Sequence, residues 1–183
     1  MMVAITVFLF AVSTIIGLFI FGVRQQAKAL SFQIMMDQTS FAMESMSRYL
    51  RLAWKQTNDL PVGCLSAFGK NYEITRAGAG IQFITSFESD AIMACEEIYL
   101  GSGKLQYRKK IGTAQEVTYD LTSLENVKIN KLNFNVIGGD QTDALQPRIT
   151  ISMEFEGMKA NDKTVLKIQT TVSQRLLDIN IAP

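Results

Sequence analysis

The chain has 183 residues, a formal net charge of +1, 48% hydrophobic residues, two cysteines and no histidine. That length holds one domain plus an attached segment, and near-neutral charge without a strong Lys/Arg cluster argues against nucleic acid as the main partner. The missing histidine removes the usual general base and any Cys/His zinc site; with no Gly-rich phosphate loop and no G-x-S-x-G elbow, the composition points away from an enzyme.

Residues 1–23 carry no charge, and fourteen of them are Val, Ile, Leu or Phe. As a helix this segment spans ~35 Å, slightly more than a hydrocarbon core, and its insertion gains roughly 4–8 kcal/mol. A cleaved secretory signal would show a basic start, a shorter apolar run and a small-x-small site, so the segment reads as an anchor. Gly17 and Gly22, with Ala11, are the candidate helix-packing positions in it; the two glycines admit either close helix packing or a point where the helix unwinds. Arg24 and Lys28 follow the span. Taken literally, the positive-inside rule then leaves the rest of the chain in the cytoplasm, whereas the cysteines and the strand-rich remainder favour the opposite side. Basic residues ahead of Met1 would remove that conflict.

Residues 24–57 contain neither Pro nor Gly and are rich in helix formers. Leu30, Ile34, Phe41, Tyr49, Leu50 and Ala53 recur at helical spacings between charged residues, which predicts an amphipathic continuation of the first helix, ending before Asn58-Asp59-Leu60-Pro61. From residue 58 to 183 the period changes to two. Alternating runs around Ile81–Phe83, Leu105–Ile111, Ile149–Phe155 and Leu166–Val172 predict strands, Gly101-Ser102-Gly103 a hairpin turn, and the phase slip between Ile129 and Leu132 a bulge. Arg108-Lys109-Lys110 reads as a solvated strand edge. The expected class is therefore α+β: a long helix whose second half covers the dry face of an antiparallel sheet.

Cys64 and Cys95 are the candidate disulfide, conditional on export. In the loop Gly138-Gly139-Asp140-Gln141-Thr142-Asp143, the carboxylates Asp140 and Asp143 are a weak Ca²⁺ candidate, because two acids fall short of the usual oxygen shell; a solvated turn is the plainer reading. No catalytic, cofactor-binding or nucleic-acid-contacting residues stand out.

The stretch Met1-Met2-Val3-Ala4-Ile5-Thr6-Val7-Phe8 resembles the N-terminal helix of the type IV pilin superfamily, just downstream of its hallmark Glu. On that alignment Gly17 falls where many members have a helix-breaking Pro. FAMESMSRYLRLA resembles the helix of minor pilins and minor pseudopilins of type II secretion, and KIQTTVSQRLLDI their C-terminal strand. The resemblance covers residues 1–55 strongly and the remainder diffusely. It implies a pilin fold and an assembly subunit that inserts its helix in the bacterial inner membrane, with the head extracytoplasmic, and then in the core of a cell-surface or periplasmic filament. The implied partners are other pilin or pseudopilin subunits, an inner-membrane assembly platform, and a prepilin peptidase acting on a leader upstream of Met1. Leader, cleavage site and Glu are not in this sequence, which departs from the family there and matches either a start placed on an internal Met or a truncated sequence. The rival expectation is a monomeric, signal-anchored extracytoplasmic binding or sensor domain.

Overall fold

The computed structural model describes residues 1–56, 64–86, 93–123, 127–140, 145–158 and 164–175. A single helix, α1 (Met2–Arg51), runs unbroken for 50 residues, ~75 Å at 1.5 Å per residue. It passes straight through Gly17 and Gly22. Among the described residues nine strands follow: β1 (Ala53–Trp54), β2 (Tyr72–Thr75), β3 (Gly80–Ser86), β4 (Met93–Gly101), β5 (Lys104–Lys109), β6 (Val117–Asp120), β7 (Val127–Ile137), β8 (Arg148–Gly157) and β9 (Val165–Ser173). All pairings are antiparallel. The protein is thus α+β, a long N-terminal helix packed on antiparallel sheets.

Where the sequence pattern predicts one sheet there are two. The first runs β1-β3-β4-β5-β6 with β2 also on β3; the second runs β7-β8-β9. They are tied by Ile129 N–H donating to the Gly103 carbonyl at 2.9 Å and Asn71 N–H to Gly139 at 3.3 Å. Their dry faces and α1 form one core, centred on Met46, Leu50, Phe83, Ile98, Ile151 and Phe155. The Gly101–Lys104 hairpin closes through Ser102 and Gly103 at φ of 52° and 78°, the double left-handed turn whose twist matches paired strands. The bulge lies between Ile129 and Lys131; it lets Ile129 and Leu132, three apart, both face the core.

The helix ends at Arg51, six residues before the expected 57, and residues 53–54 belong to the sheet. No Gly or Pro stops it; tertiary contacts do. Tyr72 Oη donates to the Leu50 carbonyl at 2.6 Å, Arg175 N–H to Arg51 at 3.0 Å, and Gln174 Nε2 to Ala53 at 2.7 Å. The carbonyls left open by the last turn are thereby satisfied, and Ala53 is free to pair with Thr85. The expected Asn58–Pro61 stop lies outside the described residues. The buried stripe also differs from expectation: it is Met35, Thr39, Ala42, Met46 and Leu50, with Tyr49 partly buried, whereas Leu30 and Phe41 are exposed. Phe41 lies about 100° around the helix from Ala42, so the larger side chain is not the inward one.

Candidate functional site

The first half of α1 is the most unusual surface. From Met2 to Val23 its large apolar side chains are exposed, Val12 alone being intermediate. The segment is long and apolar enough to cross a membrane, and α1 is the one such helix among the described residues. Its polar side chains are internally satisfied: Thr6 Oγ1 donates to the Val3 carbonyl at 2.9 Å, Ser13 Oγ to Phe10 at 2.9 Å, and Thr14 Oγ1 to Ala11 at 2.8 Å. No unpaired hydroxyl therefore resists an apolar environment. Ala11 is exposed, and a Cβ added at Gly17 or Gly22 would meet nothing within 4 Å. Ala11 and Gly22, eleven residues apart, share a face, while Gly17 projects from the other side of the helix. The three do not form a single small-residue seam.

The second half of α1 meets the head at an aromatic stack that rests on a buried polar contact within the sheet, neither of which the sequence pattern singles out. Tyr107, on β5, stacks on Tyr49 of the helix at 4.4 Å between ring centroids, and its hydroxyl donates to the buried Glu96 carboxylate on β4. Burial pushes the Glu96 carboxyl above its ordinary range, partly opposed by the bond from Tyr107, and burial together with the Glu96 charge pushes the Tyr107 phenol far up. The alternation of CEEIYL holds the signal. In a strand, one of two adjacent acids faces the core.

The neighbouring Glu97 takes the opposite face. Its carboxylate accepts from Thr75 Oγ1 at 2.7 Å and Arg76 Nε at 3.0 Å, and pairs with Arg108 at 2.9 Å. Burial alone would raise its pKa, but the bonds from Arg76 and Thr75 and the two guanidinium charges hold it below the usual carboxylate range. Arg76 also lies 3.7 Å over the Tyr99 ring. These ties hold Arg76 and Ala77 at φ of 52° and 53°, a left-handed turn that costs roughly 1–2 kcal/mol per residue. Gly80 is needed beside them, because a Cβ there would stand 2.3 Å from Thr75 Oγ1. Arg108 also faces Glu116 at 3.6 Å, and Lys110 Nζ bonds Gln115 at 2.7 Å. The basic run is occupied within the head rather than presented as a patch.

Cys64 and Cys95 are joined in a disulfide across a sequence separation of 31. With Leu65, Ile84 and Ile111 it forms a small second core on the outer face of the first sheet. Asp140 is exposed, and Asp143 lies outside the described residues. No group of three metal-ligating side chains occurs among the described residues. The Tyr49–Tyr107 stack joins the helix to the head, the Glu97 cluster and the disulfide lie within the head, and the apolar half of the helix is left uncovered. No family model, curated protein or solved structure matches the chain.

Proposed function

We propose that the protein is a structural assembly subunit of a type IV pilus or type II secretion-like filament, of the minor pilin or minor pseudopilin kind. The single observation that carries this reading is the continuity of α1. The same 50-residue helix is bare and apolar at one end and forms the core of the head at the other, so the head is borne rigidly on a membrane-length rod. Such a rod has two apolar environments available, lipid before assembly and neighbouring helices after it. The exchange between them is driven by packing, interhelical contacts and lipid release, because lipid is as apolar as the neighbours. The resemblance of residues 1–8 to the pilin helix gives the same reading from the sequence.

The proposed partners are other subunits of the same filament, an inner-membrane assembly platform, and a prepilin peptidase for a leader upstream. The proposed location is the bacterial inner membrane with an extracytoplasmic head, and subsequently the filament. The test compares Ala11→Glu and Gly17→Glu with Phe8→Leu and Ile16→Leu in the native cell, scoring recovery in sedimentable filaments against recovery in membranes. The charged variants should be lost from filaments while the head keeps its disulfide and fold, since a mid-span charge costs about 2.5–3.5 kcal/mol. Absence of the wild-type chain from any filament would instead support the signal-anchored monomer.

A further inference from the structure

Three side chains from three adjacent strands converge beneath the end of α1. Glu96 on β4 stands opposite Phe83, and Thr85 is two residues further along β3; Tyr107 on β5 stands opposite Ile98, two residues along β4 from Glu96. Thr85 and Tyr107 are therefore the diagonal neighbours of Glu96 on its two sides, within reach of a long side chain on the same face. All three are buried, and Tyr49 of α1 stacks on Tyr107. Tyr107 Oη donates to Oε2 of Glu96. The second carboxyl oxygen, Oε1, is buried without a hydrogen-bond partner, and the hydroxyl oxygen of Thr85, which acts on Glu96 at close range, is buried in the same condition. Among the described residues Lys109 is the cation whose charge reaches Glu96, and its ammonium lies 5.3 Å over the Tyr107 ring. Around them stand the phenols of Tyr49 and Tyr119 and, from α1, the Arg48 guanidinium, 5.9 Å over the Tyr49 ring. The second sheet contributes apolar side chains to this core.

We infer that Glu96 keeps an acid proton on Oε1 in the folded head, hydrogen-bonded to Thr85 Oγ1, and that loss of this proton loosens the seat of α1, so that the joint between helix and head is a pH-sensitive latch. A carboxylate accepts and cannot donate, and taking its charge out of water without a contacting cation is unfavourable. One proton on Oε1 removes the buried charge and pairs both orphaned atoms in a single bond, while Oε2 goes on accepting from Tyr107. Ionisation undoes this directly beneath the ring on which Tyr49 rests. Burial is the largest influence on the Glu96 carboxyl and pushes it up. The seat is therefore tight below the ordinary carboxylate value of 4.5 and loosens as pH rises through the folded value. The latch belongs to the joint alone and applies to an assembled subunit and to a monomer alike, so its failure leaves the assembly reading untouched.

The test uses the full-length chain in detergent micelles. Infrared spectra should show the carbonyl stretch of a protonated carboxyl at about pH 6, where ordinary Asp and Glu side chains are ionised, and this band should be missing from Glu96→Gln. As pH is raised to about 9, below the ordinary tyrosine range, the band and the near-ultraviolet circular dichroism of the Tyr49–Tyr107 stack should fall with one midpoint. The dichroism of Glu96→Gln should stay constant over the same range. Thr85→Val removes the acceptor of the acid proton and keeps the shape of the side chain. It should lower the midpoint by about one pH unit, a tenfold loss of proton affinity. A wild-type band that is absent at about pH 6 or survives to about pH 9, or dichroism that does not follow the band, would overturn the latch. So would a Thr85→Val midpoint that rises, the result expected if Thr85 donates to an ionised Glu96.

Discussion

Met46 and Phe41 stand about one and a half turns apart on α1, and they separate the face that folds the head from the face that is left for a partner. Met46 is fully buried and belongs to the central core, whereas more than half of Phe41 is accessible. Met46→Ala removes three heavy side-chain atoms from a packed site shared by the helix and both sheets. A loss of about 3 kcal/mol is expected from the transfer and cavity costs of buried methionine, which lowers the melting temperature by about 6–12 °C for a chain of this size. Phe41→Ala should cost no more than about 0.5 kcal/mol, a shift of about 1–2 °C. The assay is thermal unfolding of the full chain in detergent micelles, followed by the near-ultraviolet circular dichroism of the stacked Tyr49–Tyr107 pair, which reports the head and not the micelle-bound rod. Equal losses for the two variants, or a larger loss for Phe41→Ala, would refute the helix phase and with it the division into folding and assembly faces.

Three further outcomes follow from the head. Replacing both Cys64 and Cys95 by serine should lower stability by about 3–4 kcal/mol on a chain-entropy estimate for a loop closed at this separation, read as a fall in the denaturant midpoint that reductant reproduces in the wild type. Because the folded state raises the Glu96 pKa, its contribution is full below the ordinary carboxylate value of 4.5 and is lost as pH rises through the folded value; Glu96→Gln keeps an acceptor for Tyr107, so the variant's melting temperature should gain on the wild type as pH increases. Glu97 has the opposite sign, its contribution being present above 4.5 and lost as pH falls through the depressed folded value. Glu97→Gln should therefore cost about 1–2 kcal/mol at neutral pH, discounted for the exposure of its two arginine partners, and nothing in strong acid.

Much of this architecture is legible in the residues. Charge-free residues 1–23, the period-two runs and the Gly101-Ser102-Gly103 turn announce a rod and hairpins, because burial on one face imposes those patterns directly. The phase slip after Ile129 locates the bulge for the same reason. The end of α1 is not legible: Tyr72, Gln174 and Arg175, distant in sequence, stop it where local propensity would let it continue to residue 57. The inward stripe is obscured because Thr39, Ala42 and Ser45 are small or polar, while the conspicuous Leu30 and Phe41 point elsewhere. The acids Glu96 and Glu97 look like ordinary surface residues until both faces of β4 are seen to be covered. One face lies in the core that the sheets share with α1, and the other is closed by Arg76, Arg108 and the disulfide layer.

The central claim, that the bare half of α1 is the processed assembly helix of a pilin-like subunit, is tested most directly by mass spectrometry of the intact N-terminus of the native protein extracted from its own cell membranes. The account predicts a mature start of the form Phe-x-x-x-Glu joined to Met1, N-methylated as in the superfamily that residues 1–8 resemble. An unprocessed start at Met1, on a protein that stays monomeric, would contradict it and leave a signal-anchored extracytoplasmic domain.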